Sequence, residues 1–158
     1  MDTVAKKESE SLQNTTIPSL KSITRQWYFF DLKDKLVGKF SPRIAEILRG
    51  KNKKIFTPNS DLGDYVVLVN AKYVSFTGDN KLDKNIYYNH SGYPGGLRER
   101  TTRIMLEKYP RELVFRIIRG MLPHTKLGRN QLKRLFIYPD DKHNLQAQEK
   151  NFIKINLL

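Results

Sequence analysis

Cysteine is absent from the 158 residues. That excludes disulfides, thiol nucleophiles and cysteine-based zinc sites, and it fits a reducing compartment. No apolar run approaches the roughly 18–20 residues that cross a bilayer as a helix, so a soluble protein with no membrane partner is expected. Phosphate-cradling signatures are missing too: neither GxxxxGK[ST] nor GxGxxG occurs. The densest glycine cluster, HSGYPGG at 90–96, has Pro94 at its centre and no Lys-Ser or Lys-Thr behind it. Proline brings no backbone N–H, which makes this loop a poor anion nest. His90, His124 and His143 stand 34 and 19 residues apart with no HExxH pair, so no local metal motif exists. Asp61 and Asp64 read as turn-shaping carboxylates ahead of a strand rather than an acid–base pair. No catalytic residue, cofactor, metal or small-molecule substrate is expected.

Acids are scarce relative to bases. Twenty-nine Lys and Arg face 16 Asp and Glu, a net +13. Self-repulsion of that size opposes compaction, so the excess is expected to meet a polyanion. Nucleic acid is favoured over an anionic membrane, because neither terminus carries a strongly basic amphipathic anchor. The opening MDTVAKKESE has three acids and no apolar centre, unlike a secretory signal or an ordinary organellar presequence.

The polar, aperiodic residues 1–24 are expected to form a flexible extension, with a domain over 25–140 and a C-terminal tail over 141–158 that docks on a partner. RQWYFFDL (25–32) and VVLV (66–69) are continuous apolar runs of β-formers, as in a parallel sheet covered on both faces. Between them SPRIAEILRG (41–50) predicts a helix with Pro42 at its first helical position and Gly50 as its C-cap. Together they make a right-handed βαβ unit. NIYY (85–88) and LFIY (135–138) are the candidate third and fourth strands, and 98–134 reads as mainly helical. Leu113, Val114, Ile117, Ile118 and Met121 share one helical side there, opposite Arg111, Arg116 and Arg119. Leu132, Leu135 and Phe136 have the spacing of a second amphipathic turn beyond Pro123.

Charge gathers in two segments. From Arg98 to Arg134 eleven Lys or Arg face three Glu, and from Arg43 to Lys54 five face one. Eight of the eleven are arginine, whose planar fork binds phosphate bidentately and stacks on bases. The glycines beside Tyr93 would let a sugar-phosphate chain approach, with Tyr93 either a core prop or a base-stacking ring.

GMLPHTKLGRNQLKRLFIYPDD (120–141) resembles the signature of the large-subunit ribosomal protein family L-thirteen. Its Gly-Met-Leu-Pro is Gly120 to Pro123, and its Gly-basic pair is Gly128 and Arg129. WYFFD, RGKNKKIFTPNSDLGDY, GDYVVLVNA, FTGD and HSGYPGG resemble further blocks of that family in the same order, over roughly 25–145. The resemblance implies an α/β fold, a three-layer α/β/α domain with a small parallel sheet of about four strands. It implies a non-enzymatic constituent of the large ribosomal subunit. Its partners would be large-subunit ribosomal RNA and neighbouring ribosomal proteins. By position, RNA contacts map onto Lys39, Lys51, Lys53, Lys54, His90, Gly92, Tyr93, Gly95, Gly96, Arg98, Arg100, Arg103, Lys126, Arg129, Lys133 and Arg134. Lys39 stands where the family usually has arginine. The Gly38-Lys39 form, GYPGG and Pro139-Asp140-Asp141 resemble mitochondrial members, so a mitochondrial matrix protein is expected, with plastid or bacterial cytoplasm as the alternatives. Two other functions compete: a small nucleotide-binding enzyme on a Rossmann-like sheet, and a free-standing RNA-binding regulator of the same fold.

Overall fold

The computed structural model describes residues 23–78 and 80–155. All but the last two residues of the expected N-terminal extension, and the last three of the expected tail, lie outside them. In chain order the elements are β1 (Trp27–Asp31), α1 (Val37–Arg49), β2 (Tyr65–Val69), a 3-10 turn (Ala71–Tyr73), α2 (Lys81–Lys84), β3 (Ile86–His90) and β4 (Leu97–Thr101). They continue with α3 (Thr102–Lys108), α4 (Pro110–Met121), α5 (Lys126–Leu132), β5 (Leu135–Ile137), a 3-10 segment (Gln146–Asn151) and β6 (Phe152–Lys154).

Four strands form one all-parallel sheet in the order β5-β2-β1-β6. Alternate side chains separate its faces. Tyr28, Phe30, Val66, Leu68, Leu135 and Ile137 join Phe40, Ile44 and Leu48 of α1 and Val114 and Ile118 of α4 in one core cluster. The other face is aromatic: Trp27 stacks on Tyr65 at 4.3 Å and Phe29 on Phe152 at 5.5 Å, with His143 edge-on to Phe29 and Phe152. Apolar side chains are thus covered on both sides, which is why β1 and β2 read as continuous rather than alternating runs.

Several elements differ from the sequence reading. The first helix begins at Val37, so Pro42 lies inside it rather than at its first position. The start is set by tertiary contact: Leu36 bridges to Ser75, and the Val37 N–H donates to the Ser75 carbonyl. Gly50 ends the helix as expected, in the left-handed conformation at φ +76°. NIYY is a strand, but it pairs antiparallel with β4 in a separate hairpin instead of entering the main sheet. Arg98 and Arg100 therefore sit on a strand, and helix begins only at Thr102. Leu135 and Phe136 belong to β5, so their spacing from Leu132 spans a helix and a strand. Within the expected tail, Phe152–Lys154 pairs parallel with Trp27–Phe29 and completes the sheet edge.

The C-terminal end of α1 is held by residues from two distant segments. Its last carbonyls are orphans of the helical ladder. Glu46 accepts from the Lys51 N–H, Ile47 from the Gly50 and Asp64 N–H groups, and Leu48 from the Arg134 guanidinium at 3.3 Å. The same guanidinium binds both carboxylate oxygens of Asp61, and Arg25 lies 3.7 Å from that carboxylate. A cation at a helix C-terminus also meets the negative end of its dipole. Arg134→Ala would leave Asp61 and the Leu48 carbonyl without their partner, at about 2–3 kcal/mol. Urea unfolding checks this: the midpoint should fall clearly for Arg134→Ala and stay within about 0.5 kcal/mol of wild type for exposed Arg129→Ala.

Candidate nucleic-acid interface

The hairpin tip is built by turn chemistry. The Gly96 N–H donates to the Tyr93 carbonyl at 2.9 Å, and Gly95 has φ +71°. Proline second and a positive-φ glycine third are the requirements of a type II turn, which Tyr93-Pro94-Gly95-Gly96 meets. His90 Nδ1 accepts from the Gly92 N–H at 2.9 Å, so this histidine shapes the loop beside it. Tyr93 is 75% exposed at the tip. It is not a core prop.

One face of the hairpin lies against α4. Arg116 donates to Asn89 at 2.7 Å and to Glu112, and its guanidinium stands 6.0 Å from the Tyr87 ring. Arg100 lies over Tyr109 at 4.5 Å and within 3.9 Å of Glu112. Burial raises the Tyr87 hydroxyl above its ordinary pKa. The other face leaves Ile86, Tyr88 and Leu97 substantially exposed.

The expected contact residues fall into three groups. Lys39, Lys51, Lys54, His90, Gly92, Tyr93, Gly95, Arg98, Arg103, Lys126, Arg129 and Lys133 are exposed. Gly96 and Arg100 are half-buried, Gly96 because the chain doubles back tightly on Ser91 and Tyr93. Lys53 is committed inward: its ammonium bonds Asp64 at 2.6 Å and the Thr24 carbonyl at 3.0 Å. Arg134 is 6% exposed and bound to Asp61, so the structure removes it from the surface set. Both corrections have one cause, because Asp61 and Asp64 hold these two cations rather than only shaping a turn. Asp64 does also accept a backbone N–H, that of Gln26.

The exposed cations do not form a single patch. Lys39 sits in the first turn of α1 and Lys51 just beyond its last, about 18 Å apart along the helix. Lys54 borders a separate groove of about 370 Å³ with Tyr28, Asn52 and Ile23. Arg129 and Lys133 do come together, lining a depression of about 310 Å³ with Phe115, Arg119 and Leu132. A larger one of about 550 Å³ lies between the hairpin and α4, where Asn89, Arg116 and His124 meet Phe115 and Arg119 again. Arg116 and Arg119 were legible only as a polar helix face, and His124 only as an isolated histidine.

Close packing aims the α5 cations. Gly128 is buried with the Pro123 carbonyl directly against its Cα, where any Cβ would collide. Thr125 caps the helix through the Gly128 N–H. That is the physical need behind Gly128 preceding Arg129.

A family model for Ribosomal protein L13 matches residues 25–144. The chain belongs to the ribosomal protein L13 family. Among its relatives, the large ribosomal subunit protein uL13 of Thermotoga petrophila is 46% identical over 144 residues, covering 91% of this chain and 96% of that protein. The uL13 of Ureaplasma urealyticum is 48% identical over 133 residues, 84% of this chain and 89% of that protein. That of Pelobacter propionicus is 43% identical over 141 residues, 89% and 99%. This member of the L13 family thus has the α/β fold with a small four-stranded parallel sheet expected of it, plus a β-hairpin set apart.

Among the exposed cations, Arg103 is partly occupied. It grips Asp83 through two hydrogen bonds at 2.9 and 2.8 Å, which hold the Asp83 carboxyl below the usual carboxylate range. A lowered carboxyl pKa means the pair is intact at neutral pH and is lost as pH falls through the folded-state value. Asp83→Asn frees Arg103 and removes a negative charge. RNA binding measured by anisotropy should tighten about two- to fivefold, with a salt slope steeper by about one. Unchanged affinity and slope would remove Arg103 from the contact set.

Proposed function

We propose that this L13-family chain is a structural constituent of the large ribosomal subunit. It binds large-subunit ribosomal RNA through exposed cations, lies beside neighbouring large-subunit proteins, supports assembly and translation, and catalyses no reaction. The observation that carries this reading is the extent of the family match, 25–144, across the described domain. The relatives named as large ribosomal subunit proteins are covered nearly end to end.

Physical chemistry supports the same reading. Three groups of RNA contacts are proposed: Lys39, Lys51 and Lys54; the hairpin from His90 to Arg103; and Lys126, Arg129 and Lys133. Each neutralised phosphate releases counterions, so affinity comes largely from charge and falls steeply with salt. A rigid sheet-and-helix scaffold holds these groups, and arginine forks read RNA shape more than sequence. The nucleotide-enzyme alternative has little to stand on, because Pro94 and Gly95 sit in a type II turn rather than a phosphate nest. ATP or NAD binding by calorimetry would revive it. A free-standing RNA regulator would use the same contact chemistry and separates from the ribosomal role by sedimentation alone. The bacterial relatives do not support the expected mitochondrial matrix location and accord with its bacterial alternative. Tagging the chain in its own cells tests the compartment.

Replacing Lys126, Arg129 and Lys133 together with alanine removes three exposed charges without touching the core. Incorporation into large subunits, followed by co-sedimentation, should drop about tenfold or more while the melting temperature of the isolated chain stays within a few degrees. Equal co-sedimentation of variant and wild type would exclude α5 as a contact.

A further inference from the structure

The outer side of α4 carries a feature that the RNA reading does not by itself assign. Phe115 and Arg119, one helical turn apart, line both the depression beside the hairpin and the one beside α5, so the two adjoin across these side chains as a shallow groove along α4. Its two parts measure about 550 and 310 Å³ and lie open to solvent, so a chain could run along them without being enclosed.

Charge in the groove is one-sided. Arg119, Arg129 and Lys133 are exposed and make no ion pair among the described residues. Glu112 is the acid along its wall, and it is held by Arg116 at 2.6 Å and faced by Arg100 at 3.9 Å. Arg116 also orients Asn89. A guanidinium only donates, so Asn89 must present its oxygen to Arg116, which leaves its amide N–H groups for an acceptor in the groove.

We propose that this groove takes a single unpaired strand of RNA, its phosphates on Arg119, Arg129 and Lys133 and one base against Phe115 and the Asn89 amide. The inference rests on the RNA-binding reading above and adds the state of the RNA. Phe115 is half-buried, with part of its ring packed on the core. Duplex RNA offers phosphates and a shallow minor groove but no base faces, so the exposed remainder of the ring gains a stacking contact only where a base is unstacked. An acidic peptide would satisfy the cations but gain no stacking contact with the ring.

Anisotropy with two labelled probes tests it: a single-stranded oligouridylate of about ten nucleotides, and a fully paired RNA duplex of similar length. Phe115→Leu keeps apolar contact with the core but loses the aromatic face. It should weaken the single strand about tenfold and the duplex less than about twofold, while Phe115→Trp restores the single strand. Exposed Arg119→Gln should weaken the single strand and lower its salt slope by about one. The proposal is overturned if Phe115→Leu shifts both probes alike or neither, if Arg119→Gln leaves the slope unchanged, or if polyglutamate competes equally well with wild type and Phe115→Leu. Wild type that binds the duplex alone overturns the groove and leaves the RNA reading standing. Wild type that binds neither probe overturns both.

Discussion

The Arg134–Asp61 ion pair joins the start of β5, the loop before β2 and the end of α1, segments far apart in sequence. Its importance lies in asymmetry more than in net attraction. Exchanging both partners for apolar groups of matching shape can cost little, whereas losing one leaves a charge or a carbonyl stranded at low exposure. The Lys53–Asp64 pair repeats the arrangement a few residues away, with Gln26 donating to the same carboxylate from the strand start. Two acids thus gather two cations and a backbone amide at one end of the sheet, and the order β5-β2-β1 is latched there.

That latch separates the basic residues by task. A chain with net +13 has more cations than its acids can hold. Asp61, Asp64, Glu112 and Asp83 engage Arg134, Lys53, Arg116 and Arg103, and those pairs build the sheet end, the seat of the hairpin and its flank. The cations left over, among them Lys51, Lys54, Arg119, Arg129 and Lys133, are exposed. The paired cations brace the scaffold, Arg103 from an exposed position, and the unpaired ones are left facing solvent.

Much of this was legible in the residues. The runs RQWYFFDL and VVLV named their strands because burial on both faces demands unbroken apolar character, and Gly50 named its cap because few residues take a left-handed turn readily. What local pattern could not carry was partnership. The type of NIYY was readable, but its antiparallel mate β4 is disguised as an Arg-Glu-Arg stretch that resembles a helix surface. Val37 starts α1 through a bond to Ser75, which no local signal near Pro42 announces. FIK at 152–154 is too short to stand out and becomes a strand only because the β1 edge is there to receive it. At the candidate site, charge density was visible and charge commitment was not. Arg134 and Arg129 look alike in sequence, and only the fold shows one facing Asp61 and the other facing solvent.

The central claim is that affinity for ribosomal RNA comes from the exposed, unpaired cations carried on this scaffold. Titrating the purified full chain against large-subunit ribosomal RNA over a range of salt concentrations measures it directly. The account predicts a linear fall of log affinity with log salt, with a slope steeper than about −4, as for five or more phosphate contacts. A slope near zero, or no saturable binding at low salt, would contradict it.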